Sequence, residues 1–272
     1  LQKPILIEGP PGVGKTELAK ITAAYLNAPL IRMQCYEGLD ESKALYEWKY
    51  GKQLLYTQVL KEQLGDVLRG ARGLDESIAR LHDFGDIFYS QEFLEPRPLL
   101  QALQSEGGAV LLIDEIDKAD QEFEAFLLEL LSDYQVSIPE IGTVKAKSTP
   151  IVMLTSNNTR ELGDALKRRC LHLYIPFPDA ALESRILETQ VEGLDAQLRE
   201  QIVALIAELR NLPLKKSPAV SETIDWARAL LLLNVETLDP TWVKETLNLL
   251  LKFQDDIELV EPEIAALLKR VS

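Results

Sequence analysis

Gly9-Pro10-Pro11-Gly12-Val13-Gly14-Lys15-Thr16 follows directly on the apolar run Pro4-Ile5-Leu6-Ile7, and that succession restricts the fold more than anything else in the chain. It has the spelling G-x-x-x-x-G-K-T and the context that spelling requires: a short buried strand, a glycine-rich loop, then a helix. Glycines let the backbone curl so that successive N–H groups converge on an anion. The next segment has Ala19, Ile21, Ala23, Ala24 and Leu26 among its apolar positions and aims the positive end of a helix at the same point. Gly9 through Thr16, with Glu17 beside them, are therefore candidates for holding the phosphates of ATP. Lys15 would bridge the β- and γ-phosphates, and the Thr16 hydroxyl would take one position on Mg²⁺.

Residues 1–178 alternate strand and helix patterns, which predicts an α/β fold: a parallel sheet with helices on both faces. Strands are expected at 4–8, 29–35, 109–114, 150–156 and 171–177, rich in Ile, Leu and Val and read as buried on both faces. The stretch between Cys35 and Ala109 is far longer than one crossover helix needs. Helices over 40–68 and 75–84, around the break Gly70-Ala71-Arg72-Gly73, are read as an insertion in the second helix. A helix at 121–132, capped by Asp120, leads into a projecting hairpin over 135–146. Beyond Pro176-Phe177-Pro178 only helical patterns occur, near 179–192, 195–210, 221–233, 240–253 and 255–270. The expected organisation is a nucleotide-binding α/β domain at 1–178 and a helical lid domain at 179–272.

Charge narrows the function. With 29 Lys and Arg against 43 Asp and Glu, the formal net charge is −14, so general affinity for nucleic acid is not expected. No apolar run approaches membrane-spanning length, Ala229–Leu233 being too short, and no secretion signal is visible, so a cytoplasmic location is expected. Cys35 and Cys170 lack metal-type spacing and are read as buried reduced thiols. His82 and His172 are isolated and read as structural, and Lys215-Lys216-Ser217-Pro218 as a loop whose charges face water.

Chemistry concentrates at strand ends. Ala109-Val110-Leu111-Leu112-Ile113 runs into Asp114-Glu115, at the sheet edge where open α/β folds bind ligands. Asp114 would hold Mg²⁺ and Glu115 would orient the attacking water. The strand 150–156 ends in Thr155-Ser156-Asn157-Asn158. There Asn157, or its neighbour Asn158, would hydrogen-bond the water and the γ-phosphate. Arg168 and Arg169 close a helix, either as cations complementing its dipole or as a finger reaching the γ-phosphate of a neighbouring subunit.

With the loop, Asp114-Glu115, Asn157 and Arg168-Arg169 in this order, the chain resembles the AAA+ ATPases. The helix-2 insert and the hairpin before the asparagine strand narrow that resemblance. Residues 7–17, Gly142-Thr143-Val144-Lys145-Ala146, Leu154-Thr155-Ser156-Asn157 and the stretch from Ser221 to Leu230 are similar to the MoxR family. Cys35-Tyr36-Glu37-Gly38-Leu39-Asp40 and Leu45-Tyr46-Glu47-Trp48 are most similar to its CoxD-type members. The resemblance implies a ring, usually hexameric, with ATP between subunits. It also implies a partner bearing a von Willebrand factor A domain and a chaperone-like role in maturing a metalloenzyme client, a molybdenum-containing carbon monoxide dehydrogenase for the CoxD type. One departure stands out: Glu222 occupies the place of the family's nucleotide-sensing arginine, and Arg228 lies roughly 240° further around the same helix. Two activities fit this sequence, an ATPase that remodels a partner and a nucleotide-gated scaffold with negligible turnover.

Overall fold

The computed structural model describes residues 2–68, 90–139 and 141–271. The expected helix at 75–84, the break at 70–73, His82 and the hairpin residue Glu140 lie outside the described residues. The first part runs β1 (Ile5–Glu8), α1 (Lys15–Leu26), β2 (Leu30–Gln34), α2 (Glu41–Leu45), β3 (Tyr46–Trp48) and α3 (Tyr50–Leu68). Then come β4 (Leu94–Pro96), α4 (Pro98–Gln104), β5 (Val110–Asp114) and α5 (Gln121–Asp133). The hairpin β6 (Gln135–Ile138) and β7 (Gly142–Lys145) precedes β8 (Ile151–Ser156), α6 (Asp164–Arg169) and β9 (Leu171–Tyr174). Six helices follow: α7 (Ala180–Gln190), α8 (Ala196–Arg210), α9 (Val220–Leu232), α10 (Pro240–Leu250), α11 (Gln254–Val260) and α12 (Ile264–Val271).

The main sheet has the order β2-β5-β8-β1-β9, and β2–β5, β5–β8 and β1–β8 pair in parallel. This is the expected α/β sheet. All five positions of β5 are buried, which its unbroken Val-Leu-Leu-Ile run allows in the middle of a covered sheet. Each fully buried aliphatic there contributes about 1.5–3 kcal/mol. The edges differ from expectation. All four residues of β9 are exposed, because a terminal strand has only one neighbour and its alternate residues lack a covering layer.

Three further corrections concern the insertion and the C-terminal end. The expected helix over 40–68 is broken by β3, where Tyr46-Glu47-Trp48 alternates with period two and pairs antiparallel with β4. Buried Trp48 meets Tyr46 edge-to-face at 5.7 Å, which favours the strand over a continuing helix. Helix α4, absent from the sequence reading, starts at Pro98, whose fixed φ suits a first helical position, and buries Leu99, Leu100, Ala102 and Leu103 completely. The expected helix at 255–270 is two, α11 and α12, joined by a 3₁₀ turn at Glu261–Glu263 around Pro262.

The chain divides into two compact units: Leu1–Glu8 with Thr16–Leu173, and Gly9–Lys15 with Tyr174–Ser272. The division at 173/174 precedes the expected boundary, and the phosphate loop groups with the helical segment. In the helical unit, aspartates 179, 195 and 239 cap α7, α8 and α10. Trp226 is fully buried there and donates to Thr246 Oγ1 at 2.8 Å.

Candidate active site

Parallel register builds the site. Glu8 lies opposite Ser156 and Gln34 opposite Asp114, so β1, β2, β5 and β8 end at one edge of the sheet. Residues just beyond those tips, among them Glu115 and Asn157, share that rim.

Asp114 is buried and has several donors. Thr16 Oγ1, on the first turn of α1, donates at 3.2 Å to each carboxylate oxygen. Thr155 Oγ1 donates to Asp114 Oδ1 at 2.5 Å and accepts the Glu115 N–H at 2.9 Å, tying the acidic pair to β8. Arg32, on β2, gives Nε and Nη2 to Asp114 Oδ2 at 3.1 and 2.6 Å. Glu115 adopts a left-handed conformation, φ 57°, that turns its side chain away from the strand direction. Its Oε1 accepts from Asn157 Nδ2 at 3.2 Å and its Oε2 from Gln34 Nε2 at 2.8 Å, with Lys118 Nζ 2.5 Å away. That bond to Glu115 raises the Lys118 pKa. Asn157 is thus the amide that meets the acid, whereas Asn158 engages Ser156.

The phosphate loop curls as its glycines allow. Gly12 sits at φ 73°, and a Cβ there would fall 2.5 Å from Ala219 Cβ and 2.7 Å from Ser221 Oγ, so a larger residue fails twice. Gly9 likewise approaches Ile175 O within 2.1 Å of where a Cβ would stand. Buried Lys15 donates from Nζ to Gly9 O and Pro10 O, both at 2.7 Å. Pro11 and Gly14 are exposed, Pro10 and Val13 half-buried. Glu17 turns to Lys20 at 2.9 Å rather than toward the acidic pair.

Outside this cluster, the arginines separate. Arg169 bonds Ser132 Oγ at 2.9 Å and Ala165 O at 3.2 Å, closing α6 on α5. Arg168 is exposed, and its side chain has no hydrogen bond or ion pair among the described residues. Glu222 accepts from Ala219 N at 2.6 Å and Lys216 Nζ at 2.7 Å, a role in capping α9. The 215–216 lysines therefore do not simply face water, since Lys215 also pairs with Asp255. Arg228 bonds Gln190 O at 3.2 Å. His172 pairs with Glu8 at 2.5 Å. Both cysteines are free, but only Cys35 is fully buried. Burial, then the charges of Asp114, Asp117 and Glu115, push its thiol up to about 12, and burial pushes half-buried Cys170 to about 11.

Thr16 and Asp114 suit Mg²⁺, a hard cation that takes one or two protein oxygens and completes its shell with water and substrate phosphates. Among the described residues no cluster of three His, Cys, Asp or Glu side chains could hold a metal by itself. None of their helices is long and apolar enough to cross a membrane. Thr155 is read from the sequence only as part of a strand tip, and Arg32 and Gln34 are not singled out there; two polar residues spaced by two inside an apolar strand are the available signal.

A profile of the AAA domain (dynein-related subfamily) matches residues 4–170. An uncharacterized protein of Staphylococcus haemolyticus is 26% identical over 238 residues, covering 85% of this chain and 76% of that one. An uncharacterized protein of Staphylococcus aureus is 28% identical with the same coverage. Among solved structures, the Thermotoga maritima RuvB Holliday junction branch migration motor superposes with a TM-score of 0.50 at 16% identity. That match covers 90% of this chain but 61% of the motor, and at this identity it is a likeness of fold. The family match spans more than half of the chain, and this protein belongs to the AAA domain family, dynein-related subfamily.

Proposed function

We propose that this protein is an oligomeric Mg²⁺-dependent ATPase of the MoxR type that spends hydrolysis on remodelling a partner protein. The observation that carries the reading is the separation of two adjacent carboxylates: Asp114 bonds Thr16, while Glu115 faces Asn157 and Gln34. Adjacent acids with different partners suit different tasks, one toward the metal and one toward water. Lys15 and the loop N–H groups bind the phosphates. Bound Mg²⁺ would neutralise charge on the β- and γ-phosphates, with Thr16 and Asp114 on its protein side. Glu115 and Asn157 orient a water against the γ-phosphorus; the water oxygen bonds to that phosphorus and its proton passes to Glu115, while the bond from the phosphorus to the β–γ bridging oxygen breaks, leaving ADP and phosphate.

Arg168 is the better candidate for a finger in trans, because Arg169 is committed to Ser132 and Ala165. That assignment requires a ring, hexameric by the MoxR resemblance. The same resemblance supports a von Willebrand factor A partner and a molybdenum carbon monoxide dehydrogenase-type metalloenzyme client. RuvB's Holliday junction does not transfer, since a net charge of −14 opposes general binding to nucleic-acid phosphates. Mixing Arg168→Ala with Lys15→Ala subunits tests the shared site: partial recovery of ATP turnover is expected, and none in intact mixed rings contradicts the pairing.

The second reading, a nucleotide-gated scaffold, is favoured by Glu222, which puts a capping carboxylate where relatives carry a sensing arginine. Phosphate release at increasing protein concentration separates the two. A specific rate that rises with assembly supports the ATPase, and a negligible rate at all concentrations supports the scaffold.

A further inference from the structure

The phosphate loop leans on two walls that belong to its own compact unit. One is the Ile175 carbonyl oxygen, 2.1 Å from where a Cβ on Gly9 would stand. The other is Ala219 with Ser221, whose Cβ and Oγ would lie 2.5 and 2.7 Å from a Cβ on Gly12. Ile175 sits in the irregular link between β9 and α7, and Ala219 ends the irregular link between α8 and α9. Backbone of that kind has no ladder of its own, so other groups must fix it. One side chain reaches both links. Arg210, the last residue of α8, places its guanidinium carbon 4.5 Å from the centre of the Phe177 ring, two residues beyond Ile175. From Nε it donates to Pro218 O at 2.9 Å, one residue before Ala219.

The remaining nitrogens anchor the fork. Nη1 and Nη2 donate to Glu183 Oε2 and Oε1 at 2.6 and 2.8 Å, a bidentate pair with side chains only 11% and 2% exposed. Glu183 Oε1 also accepts from Thr223 Oγ1 at 3.0 Å, and Thr223 N donates to Ala219 O at 3.0 Å, which ties the same acid to the second wall. A buried pair of this kind contributes little net stability beside apolar packing, so its geometry needs another explanation. We infer that Arg210 is a positioning residue for the phosphate loop: anchored on Glu183, it holds the Ile175 and Ala219 walls at the separation that keeps the loop N–H groups converging on a phosphate. Glu222 is occupied in capping α9, so what this helix presents to the loop at Gly12 is a steric wall, and Arg210 sets where it stands. The inference rests on the reading that the loop binds nucleotide, but it needs binding only and no hydrolysis.

Calorimetric titration of the full chain with ADP and Mg²⁺, beside urea unfolding of the same samples, tests it. Arg210→Lys keeps a positive charge for Glu183 but loses the planar fork that reaches Phe177 and Pro218 together. Its ADP Kd should rise about 5-fold or more, the size of a modest coupling between separate sites. Phe177→Leu removes one ring contact and leaves the Glu183 pair whole, so it folds with less disturbance and should raise the Kd in the same direction by less. Leu247→Ala is the control: it opens a cavity in the helical core of the same unit and lowers the urea midpoint, yet it touches neither link. Its Kd should match wild type. Unchanged ADP affinity in folded Arg210→Lys and Phe177→Leu, or an equal loss in Leu247→Ala, overturns the inference while wild-type binding leaves the nucleotide reading standing. A wild-type chain that binds no ADP overturns that reading, and the inference with it.

Discussion

Asp117 accepts three hydrogen bonds through one oxygen, from Asn157 N at 3.2 Å, Thr159 N at 2.9 Å and Thr159 Oγ1 at 2.6 Å. It thereby fixes the backbone from which Asn157 reaches Glu115. Burial pushes its pKa up, but the bonds from Thr159 and Asn157 together outweigh that and hold it below the ordinary carboxylate value. A depressed folded-state pKa gives stability that is complete above the unfolded value, near 3.9 on average scales. It is lost as pH falls through the folded-state value. Asp117→Asn should cost roughly 1–3 kcal/mol at pH 7 and flatten the acid limb of stability. Urea unfolding at neutral and acidic pH measures both, and an unchanged acid limb contradicts the assignment. At this scale the sequence was readable where function demands a fixed local spelling. Lys15, Thr16, Asp114, Glu115 and Asn157 come from two short motifs and a strand tip. Arg32 and Gln34 act on residues 82 and 81 positions away, and no local pattern encodes a contact across strands.

The elements that were legible carry a strong period or a start signal. Asp120 ahead of α5 is one: its side chain accepts from Phe123 N at 2.8 Å, satisfying an N–H that has no partner inside the helix. Asp120→Ala should cost about 1 kcal/mol in urea denaturation, within the 0.5–2 kcal/mol range for such caps, and an unchanged midpoint contradicts it. The hairpin of β6 and β7 and the five sheet strands were readable for similar reasons, each an apolar run bounded by turn residues. What escaped was short. Three-residue β3 sits between two helices, and only its pairing with β4, far along the chain, makes it a strand. Helix α4 is seven residues long, and its Pro98 signal was masked by the length of the surrounding insertion.

At the scale of the whole molecule, two hydrophobic cores coexist, one under the sheet around Leu100, Leu111 and Phe123, the other among the C-terminal helices around Ile206, Trp226 and Leu247. The helical core also buries Glu183, held by Arg210 in two bonds of 2.6 and 2.8 Å and by Thr223 at 3.0 Å. Losing one partner of such a buried pair is far more costly than losing a surface pair. The change from alternating to purely helical texture near Pro176–Pro178 was visible in the sequence, but the grouping of Gly9–Lys15 with the helical segment was not. That grouping depends on close approaches such as Gly12 to Ala219 and Ser221, which only folding creates. The account stands or falls on Glu115 as the group that activates water. Steady-state phosphate release by Glu115→Gln, measured beside its ATP affinity, decides it. Near-normal binding with turnover reduced about 10²-fold or more is predicted, the usual range for a lost general base; near-normal turnover would contradict it.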